Sequence, residues 1–370
     1  MVRRTASPSG PRSNLGLAPA PHLYARLTTG RLMLITALCL LPVALVQLYF
    51  LGCGLIWQFL IIYVTATLCE AAVSLLRHRP LKQTASDCST LVTSALLALT
   101  VPPLLPWHLS CVCAAFAIVI VKECFGGLGM NIFNPAMAGF VFLLISAPGY
   151  MFSTFVPPAE GAFRIAGLGA TYEVVIQRQD PAPLQERLHE AATQTDALSG
   201  ATFLEGLKTS RKSGSADSMV NIPDFTTGAA LYYSAQAAAC AAGGLVLMIM
   251  RIIMVKMVLC YFLAVAGFSY LGHLWWPGLY LPELPTLLVG GTALAGFFII
   301  TDPVTNAGTG LGRISYAILV AFLIVVLRAL GSYSDSVAFA VLLGNAAAPL
   351  IDVLTRRRPY GVGYRRGELL

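Results

Sequence analysis

The sequence predicts an all-α polytopic membrane protein, and three observations carry this prediction. Hydrophobic residues make up 57% of the 370 residues, whereas charged residues make up only 11%. The apolar residues gather into runs of about 15–23, close to the length of about 20 that a helix needs to cross a bilayer. Most Lys and Arg residues lie between these runs rather than inside them. Such a composition excludes a soluble globular protein.

About ten apolar runs can be distinguished, each bounded by charge, Pro or Gly. They cover residues 32–50, 55–76, 88–104, 107–121, 132–147, 228–250, 256–271, 284–300, 314–330 and 336–354. Asn134-Pro135 opens the fifth segment and Asp302-Pro303 closes the eighth. Because several segments are short and contain or adjoin Pro or Gly, we expect some to be half-helices or re-entrant.

The distribution of basic residues predicts the orientation in the membrane. With a cytoplasmic N-terminus, the short loops on the cytoplasmic side receive nearly all Lys and Arg, including Lys122, and the opposite short loops receive only Arg328. We therefore expect a multi-pass protein of a bacterial inner membrane, with both termini cytoplasmic. This topology accounts for the net charge of +7, so lipid is expected around the chain and no nucleic-acid partner is predicted.

Composition divides the chain into five regions, of which one is external. In the external region, the alternating stretch from Tyr172 predicts a strand, and the stretch that follows Pro183 predicts a helix. Together they predict a small periplasmic subdomain. The regions are a disordered basic cytoplasmic arm (1–30), a first membrane repeat (31–147), the external loop (148–227), a second membrane repeat (228–355) and a basic cytoplasmic tail (356–370).

The two membrane regions resemble each other weakly. Gly126 aligns with Gly331, and Gly139 aligns with Gly344. Five segments per region is an odd number, so the two repeats would lie in the membrane with opposite orientations, as in many transporters. The sequence thus predicts two inverted five-helix repeats.

Three carboxylates are candidates for an ion pathway, because ionisable groups in or at the ends of membrane helices are costly. They are Glu70, Asp302 and Asp352. Asp302 is equally consistent with a capping role in an Asp-Pro turn, and Asp352 is placed to pair with Arg356. No catalytic residue and no metal site are predicted, since the nine Cys residues form no CxxC pair and the five His residues do not converge.

One polar stretch of the external loop stands out for its chemistry. It begins at Asp196 and ends in Ser199, Gly200, Ala201 and Thr202. Small neighbours leave a terminal hydroxyl open to the active site of a modifying enzyme. We therefore expect Thr202 to carry a covalent group.

Four stretches together resemble one family, the D subunits of Rnf electron-transport complexes. They are residues 196–202 (DALSGAT), 125–137 (FGGLGMNIFNPAM), 301–305 (TDPVT) and 337–352 (VAFAVLLGNAAAPLID). More distantly, the chain is similar to the B subunit of the sodium-pumping NADH:quinone reductase. After residue 305 the chain departs from the family pattern, because it continues with a glycine-rich stretch instead of a Thr-rich one.

The resemblance implies a covalent flavin and a role in electron transfer. A flavin transferase would esterify Thr202 with the phosphate of FMN, and a non-covalent riboflavin-type ring would lie near Asn134. It further implies a subunit of an ion-translocating complex that couples ferredoxin and NAD chemistry to cation movement. Other Rnf-type subunits would be the partners, and the chain would be an enzyme only as part of this translocase.

Three alternatives remain open at this point. A B-type subunit of the quinone reductase would use a quinone as electron acceptor. A related complex that reduces a redox-sensing transcription factor would share every motif. A channel or secondary transporter, motivated by the inverted repeat alone, would contain no flavin.

Overall fold

The computed structural model describes residues 28–80, 87–193, 228–277, 279–331 and 336–356. Within these residues the regular secondary structure is entirely helical, in agreement with the predicted all-α class. The loop motif of residues 196–202, the start of the N-terminal arm and the end of the C-terminal tail lie outside the described residues.

The described helices follow the ten predicted apolar segments closely. Two of them continue into π-helices, π1 (Phe116–Glu123) after Trp107–Ala115 and π2 (Ala295–Ile299) after Thr292–Leu294. The helices are α1 (Thr29–Cys39), α2 (Leu41–Leu51), α3 (Gly54–Leu76), α4 (Ser89–Thr100), α5 (Trp107–Ala115), α6 (Pro135–Ser146), α7 (Pro148–Ser153), α8 (Ala162–Ile165), α9 (Leu168–Val175), α10 (Ala182–Thr193), α11 (Gly228–Ile249), α12 (Val255–Trp275), α13 (Glu283–Leu288), α14 (Thr292–Leu294), α15 (Gly310–Leu330) and α16 (Val337–Thr355).

Among the described residues, six helical stretches of 19 to 23 residues are long and apolar enough to cross a membrane. They are α1 with α2, then α3, α11, α12, α15 and α16. Large apolar side chains such as Leu68, Leu263 and Leu354 are exposed on these helices. Exposed apolar faces of this kind are stable in lipid and not in water, so the chain is a multi-pass membrane protein.

Three of the predicted segments are short or broken, as their Pro and Gly content indicated. Helices α4 and α6 have 12 residues each and are therefore about 18 Å long, whereas the hydrocarbon core is about 30 Å thick. The eighth segment is interrupted between α13 and α14, where Gly290 and Gly291 have φ angles of 68° and 71°. Only glycine adopts this conformation without strain.

The short helices begin where polar side chains cap them. Asn134 Oδ1 accepts hydrogen bonds from the backbone N–H groups of Ala136 (3.1 Å) and Met137 (3.3 Å) at the start of α6. Asp87 Oδ1 accepts from the backbone N–H of Ser89 at 2.9 Å at the start of α4. These bonds satisfy donors that the first helical turn leaves without a partner.

Helix contacts follow the same scheme in both halves of the chain. Helix α3 packs against α4 and against α5 with π1, and α12 packs against α13 and α15. Helix α6 packs against α5 and π1, and α16 packs against α15. The halves meet where α6 contacts α16 and where α1 and α2 contact α11.

A small helical subdomain, α7 to α10, covers one end of the bundle. Its core includes Val156, Ala162 and Leu188, which pack with Leu104. The strand predicted around Tyr172 is wrong, because these residues form α9. Thr171, Val174 and Val175 are buried on one face of α9, so the apolar pattern follows the helical period and not the alternation of a strand.

Candidate functional site

A buried ion pair joins three helices at the end of the bundle opposite the subdomain. Lys122 on π1 forms a salt bridge with Glu70 on α3, and both residues are buried. Lys122 Nζ also donates hydrogen bonds to Ser89 Oγ (2.7 Å) and Thr90 Oγ1 (3.3 Å) at the start of α4. Thr90 in turn donates to Glu70. Lys122, expected in a cytoplasmic loop, is instead part of a closed polar network.

A second acidic group lies beside this network. Glu123 is 3% exposed, and its carboxylate lies 3.6 Å from the Arg77 guanidinium. Arg79 Nη1 donates a hydrogen bond to the carbonyl of Gly126 at 3.0 Å. Basic side chains therefore cover both the buried Glu123 and the turn that follows it.

Asp302 forms the turn that closes the eighth segment. Its Oδ1 accepts from the backbone N–H of Val304 at 3.1 Å, and its Oδ2 accepts from Thr305 Oγ1 at 3.2 Å. This is the capping geometry of an Asp-Pro turn. Of the two roles expected for Asp302, capping and ion transport, the structure therefore shows the capping contacts.

Asp352 holds the glycine-rich loop before α15. Its carboxylate accepts from the backbone N–H of Gly308 at 2.8 and 2.9 Å and from that of Thr309 at 3.2 Å. The expected pairing with Arg356 is wrong, since the described residues show no salt bridge between the two. Two adjacent N–H groups already satisfy the carboxylate at close range.

The two halves are joined at their centre by an asparagine. In the amide orientation that satisfies both of its polar atoms, Asn345 accepts from the backbone N–H of Asn134 at 2.9 Å. Its nitrogen donates to the carbonyl of Thr305 at 3.2 Å and to Tyr316 Oη at 2.7 Å. Asn345 thus connects the start of α6 with the Asp302 turn.

At the subdomain end, Arg328 binds the interruption of the eighth segment. Its guanidinium donates to the carbonyls of Thr286 (3.0 Å), Val289 (3.3 Å) and Gly290 (3.4 Å) and to Thr292 Oγ1 (3.1 Å). A helix that ends inside a membrane protein leaves carbonyls without partners. Arg328 supplies donors for these carbonyls.

A cavity of about 190 Å³ lies between the two halves. It is bordered by Gln47 and Met137 of the first half and by Tyr232, Gly291 and Ala338 of the second. Most of its wall is apolar, with a few polar groups, as is typical of sites for small organic ligands. Asn134 lies about one helical turn before Met137, and its side-chain oxygen is occupied by capping.

The structure does not bring the three predicted carboxylates together. Glu70, Asp302 and Asp352 belong to three separate arrangements, and no hydrogen bond or ion pair within the described chain joins two of them. Sequence reasoning did not single out Gln47, and it placed Arg328 in a short loop, whereas Arg328 is buried in α15. A polar residue in the middle of the apolar run 32–50 was the signal that could have identified Gln47.

Known proteins resemble this chain over almost its whole length. The model of the NQR2, RnfD, RnfE family matches residues 17–361. A protein of Psychromonas ingrahamii is 37% identical over 93% of this chain and 98% of its own length, and one of Shewanella frigidimarina is 39% identical over 93% and 97%. Both are described as the D subunit of an ion-translocating oxidoreductase complex. The chain therefore belongs to the NQR2, RnfD, RnfE family.

Proposed function

We propose that this chain is the membrane-embedded D subunit of an ion-translocating oxidoreductase complex. The match over 93% of the chain with relatives of that description is the observation that carries this proposal. A bundle with short, broken helices and buried charged networks is consistent with ion translocation. The reaction we propose for the whole complex is electron transfer between ferredoxin and NAD, coupled to cation movement across the bacterial inner membrane.

The redox group we propose for this chain is FMN, esterified to Thr202 through its phosphate. Asp196, Ser199, Gly200 and Ala201 would form the segment that a flavin transferase recognises. The segment that carries them follows α10, which is fixed to the end of α7 because Gln185 Nε2 donates to the carbonyls of Ser153 (2.6 Å) and Phe155 (2.8 Å). A tether that starts from a fixed point keeps the flavin at a high local concentration.

Flavin fluorescence after denaturation tests this attachment. The chain is produced with its flavin transferase, denatured and separated on a gel. We expect a fluorescent band that is lost in Thr202→Ala and kept in Thr209→Ala, a threonine of the same loop. A dark wild-type band would contradict the proposal and favour the transporter alternative.

A second, non-covalent flavin of the riboflavin type is proposed close to Asn134. Because the Asn134 oxygen caps α6, this residue would act by placing the start of the helix rather than by binding the ring through that oxygen. Flavin released from the purified complex by denaturation, counted separately from the covalent fraction, tests this. Complete retention of all flavin on the chain would contradict it.

Glu70, Asp302 and Asp352 are proposed to contribute to the cation pathway. Since each is held in its own network, ions could use them only if those networks rearrange. We expect Glu70→Gln, Asp302→Asn and Asp352→Asn to lower the gradient formed per electron in liposomes with the whole complex. Glu173→Gln, on the exposed face of α9, is the control. Unchanged gradients in all three variants would refute this role.

The architecture we propose is a pair of inverted five-helix repeats. The matching helix contacts of the two halves support it. So do two buried cations, Lys122 four residues before Gly126 and Arg328 three residues before Gly331. Each lies near the end of its helix and binds the short or broken helix of its own half.

A further inference from the structure

The four tryptophans of the chain lie at one end of the bundle, the end that the subdomain covers. Trp57 is in the first turn of α3, Trp107 begins α5, and Trp275 and Trp276 stand at the end of α12. Leu104, just before α5, packs into the subdomain core. Trp side chains collect where the apolar interior of a membrane meets the lipid headgroups. The four residues therefore mark the level of this interface on the bundle.

Two short helices of the subdomain lie at the level of Trp57. The Trp57 Nε1 donates to the carbonyl of Leu168 at 3.1 Å, and its ring centroid lies 5.3 Å from that of Tyr172, both residues of α9. Phe163 of α8 packs against Tyr49 of α2, with ring centroids 5.8 Å apart. Helices α8 and α9 therefore lie beside α2 and α3 at the depth of the interface.

The outer face of α8 and α9 is apolar, although their inner face already fills the subdomain core. Ala162 and Val175 are fully buried on the inner side. On the outer side Leu168 is 51% exposed, and Phe163 and Tyr172 are also exposed. Three large apolar side chains therefore meet whatever surrounds the molecule here.

This outer face continues the apolar surface of α2 and α3. Tyr49 is exposed beside Phe163, and Ile56 and Leu60 are exposed on α3. Arg164 is exposed as well, with its guanidinium 5.6 Å from the centre of the Phe163 ring. A basic side chain at this depth can reach lipid phosphates while its stem covers apolar surface. The surroundings that suit α2 and α3 therefore also suit α8 and α9.

Helix α10 of the same subdomain has the opposite character. Leu184 and Leu188 face the shared core, whereas the exposed positions include Glu186, Arg187 and Glu190. Charged groups are stable in water and costly in an apolar layer. The two sides of the subdomain therefore require different surroundings, lipid for α8 and α9 and water for α10.

We propose that α8 and α9 are seated in the headgroup region of the bilayer, with Phe163, Leu168 and Tyr172 against lipid. The occupant of this surface is the phospholipid layer, because the surface is continuous with membrane-spanning helices that face lipid. Such seating removes the outer face from water and keeps α10 on the water side. This inference is independent of the flavin and of the reaction proposed for the complex.

Photocrosslinking tests this seating in the chain together with the subunits that purify with it. Leu168→p-benzoylphenylalanine places a photoreactive ketone on the outer face, and the protein is irradiated in vesicles of phosphatidylethanolamine and phosphatidylglycerol. The ketone carbon bonds to a carbon of its neighbour, and the hydrogen of the broken C–H bond passes to the ketone oxygen. No atom is lost, so we expect peptides containing position 168 to gain the mass of one phospholipid.

Three further positions make the result decisive. Phe163→p-benzoylphenylalanine exchanges one aromatic side chain for another and should give the same lipid adduct. Leu60→p-benzoylphenylalanine on α3 is the positive control, and Glu186→p-benzoylphenylalanine on α10 is the matched control that should give none.

Two results would overturn the inference. Crosslinks from positions 163 and 168 to another protein chain would assign this surface to a partner subunit. A lipid adduct at position 60 with none at positions 163 and 168, or equal yields at 168 and 186, would show that α8 and α9 are not seated in lipid.

Discussion

At the scale of single residues, the buried Glu70–Lys122 pair gives a testable prediction for stability. Removing one partner leaves the other charge buried, which costs about 3–5 kcal/mol. We therefore expect Glu70→Gln and Lys122→Gln each to lower the thermal stability of the purified protein in detergent. The double variant should lose less than the sum of the two, because it leaves no uncompensated charge.

Arg77→Gln is the control for this double-variant cycle. The Arg77 side chain is 33% exposed, whereas its partner Glu123 is buried. Solvent screens the guanidinium in part, so its effect should be smaller than that of Glu70→Gln or Lys122→Gln. Additive losses in the Glu70/Lys122 cycle would show that the two side chains do not stabilise each other.

The sequence could not predict this pair, although it contained both residues. Lys122 follows an apolar run and precedes a glycine-rich turn, a pattern typical of a cytoplasmic loop. Its partner lies 52 positions away on another helix, and no local pattern specifies such a contact. Asn134 was different, because a capping residue acts on its own helix and is visible from Asn-Pro alone.

At the scale of helices, the broken eighth segment depends on one side chain from α15. Arg328 binds three carbonyls around the interruption, and each buried carbonyl left without a donor costs about 1–3 kcal/mol. We expect Arg328→Gln to increase hydrogen exchange over residues 286–295. Arg313→Gln, which removes one bond to the Ala307 carbonyl, should leave this region unchanged. Equal exchange in both variants would contradict this role.

In each half, one helix packs closely against another at a glycine. The two glycines differ in how much space surrounds them, so replacing each with Ala should reduce thermal stability by a different amount. A Cβ on Gly344 would lie 2.5 Å from Val320 Cγ2, whereas one on Gly139 would lie 3.1 Å from Ala117 Cβ. Overpacking of this kind typically costs about 1–3 kcal/mol. The midpoint temperature of thermal unfolding in detergent should therefore be lower for Gly344→Ala than for Gly139→Ala.

Gly267→Ala supplies the control for these glycines. It lies within α12, and its added Cβ would meet no atom within 4 Å. Ala is favoured over Gly inside a helix by about 0.5–1 kcal/mol, so this variant should be as stable as the wild type or more stable. A loss equal to that of Gly344→Ala would refute the packing argument.

Helix limits were largely predictable, because Pro, Asn and Asp act locally on the turns they cap or break. The type of element was not always predictable over short stretches. Around Tyr172 the same apolar residues fit both the alternation of a strand and the single apolar face of a helix. Contact with the rest of the subdomain favours the helix. When a stretch is too short for its apolar pattern to distinguish a helix from a strand, its contacts with the rest of the protein determine which one forms.

At the scale of the whole molecule, the subdomain is fixed to the turn between α2 and α3. Cys53 donates its backbone N–H to the Ala166 carbonyl at 2.8 Å, and Trp57 Nε1 donates to the Leu168 carbonyl at 3.1 Å. Helix α10, the last described element of the subdomain, is therefore held on one side of the bundle. Composition predicted a subdomain here, but only long-range contacts place it against the turn between α2 and α3.

Membrane orientation yields the last prediction, since the two ends of the bundle differ in charge. Arg77, Arg79 and the exposed Cys124 lie at the end opposite the subdomain, and basic loops remain cytoplasmic. A membrane-impermeant maleimide should label Glu186→Cys, at an exposed position of α10, in intact spheroplasts. It should label Cys124 only after permeabilisation, with Cys124→Ser identifying that signal. Labelling of Cys124 in intact cells would invert the topology and place the proposed flavin loop in the cytoplasm.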